Sequence, residues 1–589
     1  MKRYIIFLLT SFITHDSFAQ KNNPLQQPNV LIIIADDQGW GDLGFTGNKT
    51  VHTPHLDKLA KSGTILDRFY VSPVCSPTRA EILTGRYHVR TGVSGTSTGR
   101  VRLDLDETTI AEAFKANGYQ TALFGKWHNG GQAPYHPNCR GIDEFYGFCS
   151  GHWGNYFNPI LEHNGEVIKG KGFMTDDLTN HAIEYLNKKN DQPFFMIMAL
   201  NTPHSPMQVP DAFWNRYKNK TIQQKGSIPE KENIEHTRAA LALNENIDEN
   251  IGHVIAALEK NNQLNNTIII YFSDNGPNGN RFNGGMKGIK GSTNEGGVRV
   301  PFVISWKNNI KDGRTLQQIA ANIDLFPTLI DLAGLSWKNP KPFDGISLKN
   351  ILLDKVPPTP DRIIPSFWAN ETSVRSQHFR LSNKDELFDM INDPNQTNNV
   401  ATAFPNEYQQ LKSWKDKWLK EVKSELPLQD LRPLIVGNKK MSMTTLPAAE
   451  AEPVGNIIRS SKHPNDSYFL GWKSTTDKIT WNVEVEEDGI FEIEVFYACS
   501  EKNIGTELEL KFNDAIISKK ISTANNVPVI GMEHDKVERE ESYVKDFKPM
   551  KLGNLELKKG KGSMELSCKN LFSPNDLECN MMTLRRVLH

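Results

Sequence analysis

Three stretches of the chain are apolar almost without interruption: "NVLIII" at 29–34, "QPFFMIMAL" at 192–200 and "NNTIIIYFSDNG" at 265–276. Runs of this kind, short and rich in β-branched or aromatic residues, predict strands buried on both faces of a sheet. Helical spacing lies between them, as in "ETTIAEAFKANGY", where Gly118 is a stop signal. Strands alternating with helices predict an α/β domain over residues 25–350, with a mostly parallel central sheet and helices on both faces. From 355 to 425 the pattern shifts to short segments and one amphipathic helix, "NEYQQLKSWKDKWLKEV", which predicts a small C-terminal α+β subdomain.

Residues 426–454 combine proline and small residues with little periodicity and read as a linker. Beyond 455 the period becomes two. "ITWNVEVEEDGIFEIEVFYA" alternates Trp481, Val483 and Val485, then Phe491, Ile493, Val495 and Tyr497, around an Asp-Gly turn. "TELELKF" and "GSMELSC" alternate in the same way. This predicts an appended antiparallel β-sandwich over 455–589, an accessory domain with carbohydrate binding as one candidate role. Trp472 and Trp481 read either as a sugar platform or as core, and core is the commoner fate of tryptophan there.

The N-terminal "MKRYIIFLLTSFITHDSFAQ" joins two basic residues, an apolar run from Tyr4 to Ile13 and the small-residue stretch Ser17-Phe18-Ala19. It predicts a signal peptide over residues 1–19, its apolar run too short to span a membrane. A secreted or periplasmic chain with no membrane span is expected. The formal net charge of −1 excludes the basic excess of a nucleic-acid binder, so any anion must be held by placed side chains. Six cysteines are scattered along the chain. In an oxidising compartment Cys139 with Cys149, and Cys568 with Cys579, are candidate local pairs, leaving Cys75 and Cys499 over.

The candidate chemistry sits where the strands end. "IIIADDQGWGD" places Asp36 and Asp37 directly after one buried run, and "IIIYFSDNGP" ends another in Asp274 and Asn275. Each pair alone reads as a solvated loop or a tight turn. Together, at the carboxyl edge of a parallel sheet, they supply four oxygen ligands for a hard cation, Ca²⁺ rather than Zn²⁺. "FGKWHNGG" carries Lys126 and His128, and "ALNTPHSP" carries His204. "GGMKGIKGSTNEGGVRVP", with Lys287 and Lys290, reads as a ligand-approaching loop or a mobile one. Finally, "VCSPTRAEILTGR" at 74–86 sets Cys75 at a helix N-terminus, with Pro77 in its first turn and Arg79 one turn in. Such a setting lowers a thiol pKa, yet a cysteine hydrolase has no use for a four-oxygen metal site.

Cys75-Ser76-Pro77-Thr78-Arg79, followed by Leu83-Thr84-Gly85-Arg86, resembles the signature of formylglycine-dependent sulfatases of the alkaline-phosphatase superfamily. Asp36-Asp37, Gly125-Lys126-Trp127-His128, Asp274-Asn275-Gly276 and the stretch from Lys290 to Pro301 match further family motifs in order, over residues 28–425. The resemblance, notably to secreted bacterial polysaccharide sulfatases, implies that a formylglycine-generating or sulfatase-maturating enzyme oxidises Cys75 to formylglycine (3-oxoalanine). The hydrate of that aldehyde is the implied nucleophile. It implies that Asp36, Asp37, Asp274, Asn275 and the modified residue 75 hold Ca²⁺. Arg79 and Lys126 would stabilise the hydrate, His128 would bond to it, Lys290 would bind the sulfate oxygens, and His204 would face the leaving group. Thr78 and Asn294 depart from commoner family residues, Lys287 lacks Lys290's spacing to Glu295, and Ser150 lies near a polar sulfate contact of some members. The aromatic-rich "GHWGNYF" that follows Ser150 is a candidate sugar-subsite lining.

The expected activity is hydrolysis of a sulfated glycan, an algal polysaccharide such as ulvan or carrageenan or its oligosaccharides. Alternatives are a glycosaminoglycan or N-acetylhexosamine sulfatase and a general arylsulfatase. A related phosphatase would carry Ser or Thr at position 75 with two zinc ions. A sulfated-glycan binding protein without catalysis would lack one of Cys75, Arg79, Lys126, His128, His204 or Lys290, all of which are present.

Overall fold

The computed structural model describes residues 27–188, 191–355, 361–426 and 430–587; the expected leader, residues 1–19, lies outside them. The elements that carry the site are β1 (Asn29–Ala35), α1 (Cys75–Thr84), β2 (Gln120–Lys126), β3 (Glu144–Phe148), β4 (Phe194–Ala199), α2 (Ile234–Lys260) and β5 (Thr267–Ser273). The strands form a parallel block in the order β5-β1-β4-β2-β3. Antiparallel strands extend it at both ends, Phe302–Ser305 against β5 and Ile160–His163 against β3. The α/β expectation is therefore met, with antiparallel margins on a parallel centre.

β1 shows why these runs are apolar throughout. Leu31, Ile33 and Ala35 pack into one cluster with Leu243 and Ile247 of α2. Val30, Ile32 and Ile34 face the other way, among Leu83 of α1 and Phe326. With helices on both faces no position is left for a polar residue, and each buried aliphatic side chain stabilises by about 1.5–3 kcal/mol. Polarity appears only where the strands run out of the sheet. The register Ala35↔Ser273 sets Asp36 and Asp274 side by side at that edge.

The C-terminal subdomain is an antiparallel sheet over residues 364–389 with a helix at Pro405–Lys423. A buried network ties it to the core: Arg375 pairs with Glu295, Tyr70 donates to Glu295 Oε1 at 2.8 Å, and the Arg375 guanidinium lies 3.9 Å above the Tyr70 ring. Glu295 thereby fastens the loop that carries Lys290.

The sandwich has two sheets around one core, in which Trp481, Val483, Phe491, Ile493 and Leu508 point inward. It begins earlier than expected. Residues 434–454, read as linker, supply edge strands: Leu434–Val436 pairs parallel with Lys478–Val485, Met443–Pro447 pairs with Leu577–Arg586, and Glu452–Val454 pairs with Lys478–Val485. These strands are too short to display a period, and Pro447 and Pro453 are tolerated because they lie on edges. Trp472 and Trp481 are 0% and 2% exposed, so both are core and neither is a sugar platform. Replacing Trp472 with Ala should cost about 3–5 kcal/mol, measured by denaturant unfolding; a loss under about 1 kcal/mol would contradict this packing role. All six cysteines are free thiols, so neither expected disulfide is present; Cys149 instead lies beside His136 and Glu162.

Candidate active site

The carboxylates gather where β1 and β5 leave the sheet. The amide of Asp274 donates to Ala35 O at 3.1 Å, which extends the β1–β5 ladder by one residue, and that of Asp36 donates to Thr202 O at 3.0 Å on the loop after β4. Asp37 then turns into the left-handed region at φ 67°, which aspartate tolerates better than most residues. Its amide donates to Asp274 Oδ1 at 3.3 Å, and Asn275 Nδ2 donates to Asp37 Oδ1 at 2.8 Å. Gly276 is required because a Cβ there would stand 2.0 Å from Gly296 O. The Asp-Asn-Gly segment is thus packed against the loop behind Lys290 and is not a hairpin turn.

Three cations close on this cluster. Arg79 Nη2 meets Asp274 Oδ2 at 2.7 Å while its Nη1 donates to Lys126 O at 2.9 Å. Lys126 Nζ donates to Asp36 Oδ2 at 2.7 Å, and Lys290 Nζ lies 2.7 Å from Asp37 Oδ1. Lys287 lies elsewhere, over the Phe388 ring. α1 begins at Cys75 and is buried along its whole length, so position 75 is held rigidly at the helix mouth. Burial pushes the Cys75 thiol up, although Lys126 and Lys290 pull it down. The expected lowering by the helix N-terminus is overridden by desolvation.

Burial also raises the acids, but Lys126 holds Asp36, and Lys290 holds Asp37, below the usual carboxylate range. For Asp274, burial and the Asp36 charge prevail over Arg79 and Lys126, and the carboxyl is pushed up to about 7. Crowded acids of this kind suit a divalent cation. Asp36 Oδ1 and Asn275 Oδ1 are buried acceptors with no hydrogen-bond partner among the described residues. Asp36, Cys75 and Asp274 offer ligand atoms within 4.8 Å of one another. The donors present therefore fit a hard cation such as Ca²⁺.

Cys75, His128, His204 and Lys290 line one cavity of about 590 Å³. His128, at φ 62°, turns away from β2 so that Nε2 donates to Thr96 O at 2.9 Å and Nδ1 is buried with no hydrogen-bond partner among the described residues. His204 Nδ1 bonds Ser205 O at 2.5 Å, and its Nε2 lies 3.7 Å from Asp37 Oδ2. Burial, with Lys126 adding to it, holds His128 well below the ordinary histidine value, and burial with Lys290 lowers His204.

Several contributors escaped the sequence reading. Thr96 accepts from His128, and Tyr156 donates its hydroxyl to His204 O at 2.9 Å and Ser205 O at 3.0 Å. His152 stacks on His204 with ring centroids 6.0 Å apart and lines the cavity with its Nε2 unpartnered among the described residues. The segment "GHWGNYF" was the one pointer to two of them: its Gly151 and His152 line the cavity of Cys75 and His204, and Tyr156 bonds the His204 carbonyl. Ser150 and Trp153 line a separate, more apolar cavity of about 150 Å³. The sandwich also reaches the site, and no sequence signal announced it. His463, Asn465 and residues 537–541 form part of the wall of the cavity that Cys75 and His204 line.

The family described as sulfatase matches residues 28–335, just over half of the chain, and the family described as N-sulphoglucosamine sulphohydrolase, C-terminal, matches residues 290–425. The N-acetylgalactosamine-6-sulfatase of Sus scrofa is 30% identical over 365 residues, covering 56% of this chain and 66% of that relative's length. Arylsulfatase J of Mus musculus is 33% identical over 334 residues, 52% of each chain. Among solved structures, Ps i-CgsB in complex with k-i-k-neocarrahexaose aligns with a TM-score of 0.61 and 31% identity, over 67% of this chain and 93% of that one. The matched span holds Asp36, Asp37, Cys75, Arg79, Lys126, His128, His204, Asp274, Asn275 and Lys290, and the chain belongs to the sulfatase family.

Proposed function

We propose that this protein hydrolyses sulfate esters of a sulfated polysaccharide or its oligosaccharides, with Cys75 matured to formylglycine and Ca²⁺ held by Asp36, Asp37, Asp274, Asn275 and position 75. The observation that carries this reading is the single cavity lined by Cys75, His128, His204 and Lys290 above the oxygen-rich cluster. Formylglycine supplies a hydrated aldehyde as nucleophile, and Ca²⁺ supplies charge that offsets the anionic ester. The chain's own groups do the rest. Lys290 remains partly exposed and offers its ammonium to a sulfate oxygen. Arg79 and Lys126 hold the carboxylates and set fixed positive charge against the negative charge that builds as the ester breaks, in a site largely shielded from water. The Nδ1 of His128, which lines the same cavity as position 75, is placed to accept a proton. His204 donates Nδ1–H to Ser205 O, and in its imidazolium form, which the Asp37 carboxylate 3.7 Å away favours against burial and Lys290, it gives the Nε2 proton to the departing sugar oxygen.

A carrageenan- or ulvan-type algal glycan is the first substrate reading, supported by the neocarrahexaose in the Ps i-CgsB complex. A glycosaminoglycan or N-acetylhexosamine sulfate is the second, supported by the N-acetylgalactosamine-6-sulfatase relative. Maturation by a formylglycine-generating enzyme and export through residues 1–19 complete the proposal; among the described residues no helix is long and apolar enough to cross a membrane. Sulfated oligosaccharides of each class, assayed for released sulfate, separate the two readings.

The proton-donor role has its own test. A sugar alkoxide needs protonation as it leaves and nitrophenolate needs little, and general acid catalysis is worth about 10²–10⁴-fold. His204→Ala should therefore lower turnover of a sugar sulfate by at least about 100-fold more than that of nitrophenyl sulfate. Equal losses on the two would reduce His204 to a sulfate contact.

A further inference from the structure

The sandwich does more than border the cavity: it grips the loops that carry the site's histidines. Residues 204–208 follow β4 and run alongside the sandwich segment 531–541. Gln208 forms an isolated antiparallel bridge with Asp535, and its Nε2 donates to Gly531 O at 2.7 Å. The Lys536 amide donates to Met207 O at 3.0 Å. Glu541 accepts a hydrogen bond from the Ser205 hydroxyl. Ser205 is the residue whose carbonyl orients His204 through Nδ1. On the other side of the cavity Asn465 Nδ2 donates to Thr96 O at 3.1 Å, the same carbonyl that receives His128 Nε2. Asp466 accepts from the Gly154 amide at 2.5 Å, and Arg539 donates to Gly154 O, fixing the loop of His152.

We propose that the sandwich is a working part of the active site, with Glu541 as a positioning residue that, through Ser205, aims His204 at the leaving group. Among the described residues the His204 side chain is oriented by one hydrogen bond, to a carbonyl on an irregular loop. That loop follows a strand end and is braced by Tyr156 from the core and by the sandwich from outside. A loop of this kind drifts readily when one brace is lost, and a displacement of about 1 Å at a reacting group costs up to about 100-fold in rate. The contact is to the hydroxyl of Ser205 and not to His204 itself, so its loss should disturb aim while the histidine, the cluster and position 75 all remain.

The proposal rests on His204 being the proton donor, so the experiment tests both in parallel on the full-length protein. Glu541→Ala, Glu541→Gln, Ser205→Ala, His204→Ala and the double variant His204→Ala/Glu541→Ala are assayed in single turnover on a sugar sulfate and on nitrophenyl sulfate, with melting temperatures measured alongside. Glu541→Ala and Ser205→Ala, which break one contact from its two sides, should each slow the sugar sulfate by about 10-fold or more, and nitrophenyl sulfate clearly less. Glu541→Gln, which keeps an accepting oxygen, should restore most of that loss. Adding Glu541→Ala to His204→Ala should bring no further loss on the sugar sulfate, since the aim of an absent group no longer matters. Equal losses on both substrates for Glu541→Ala and Ser205→Ala, or additive losses in the double variant, would overturn the positioning role even if His204→Ala alone discriminates between leaving groups. No discrimination by His204→Ala would remove the proton-donor reading and the positioning role with it.

Discussion

Cys75→Ala should yield a folded protein that hydrolyses no sulfate ester. Position 75 is 3% exposed at the head of a fully buried helix, and alanine fits that space with no new polar group, so the expected cost in stability is about 1 kcal/mol. The chemical loss is of a different order. Removing the nucleophile of a hydrolase, with the surrounding charges left in place, costs roughly 10⁵–10⁶-fold in kcat. Lys290 would still bind the sulfate group, with the charges of Arg79 and Lys126 unchanged beside it, so affinity for the ester should change far less than turnover. The measurement is kcat on nitrophenyl sulfate, with circular dichroism as the folding control and mass spectrometry of the wild-type peptide spanning residue 75 to detect the aldehyde. Turnover by the alanine variant within about 10-fold of wild type, far short of the loss of a nucleophile, would end the precursor reading.

Stripping divalent metal should have the second-largest effect. Asp36, Asp37 and Asp274 are all within 1% of fully buried, and Asp36 and Asp274 face each other across the β1–β5 register. A cation there relieves mutual repulsion and adds the several kcal/mol of charge stabilisation typical of a catalytic metal, so its removal should lower kcat by about 10³-fold. Ca²⁺ should restore activity better than Zn²⁺, because the ligands are carboxylate and amide oxygens. The same binding should appear as stability: Ca²⁺ at 100 times its Kd should add about 2.7 kcal/mol and raise the melting temperature of the stripped protein. Full activity after exhaustive chelation, with no thermal shift on adding Ca²⁺, would exclude the metal.

Much of this protein was open to reading from residue order alone, and the reason is local. The runs at 29–34, 192–200 and 265–276 are apolar because both faces of β1, β4 and β5 are buried, and double-sided burial leaves an unmistakable mark on sequence. The proposed site residues lie within a few residues of those strand ends or of a helix mouth, so their order along the chain already placed them at one edge. The alternation after 478 marked the sandwich in the same way, since one face of each strand is core and the other is solvent.

What the sequence left open depends on contacts between segments far apart. The short strands within 434–454 exist only because Lys478–Val485 and Leu577–Arg586 present edges to receive them; on their own they have no period to detect. The thiol of Cys75 looked lowered by its helix, but burial outweighs the nearby cations. Asn465 and Glu541 are unremarkable polar residues in a domain that looked separate. They reach Thr96 and Ser205, 369 and 336 residues away along the chain, because the sandwich docks on the carboxyl edge of the sheet. Periodicity and local motifs record how a segment meets its own environment. Which surfaces meet each other, and therefore that the sandwich braces the histidine loops, was decided only by the packing of the whole chain.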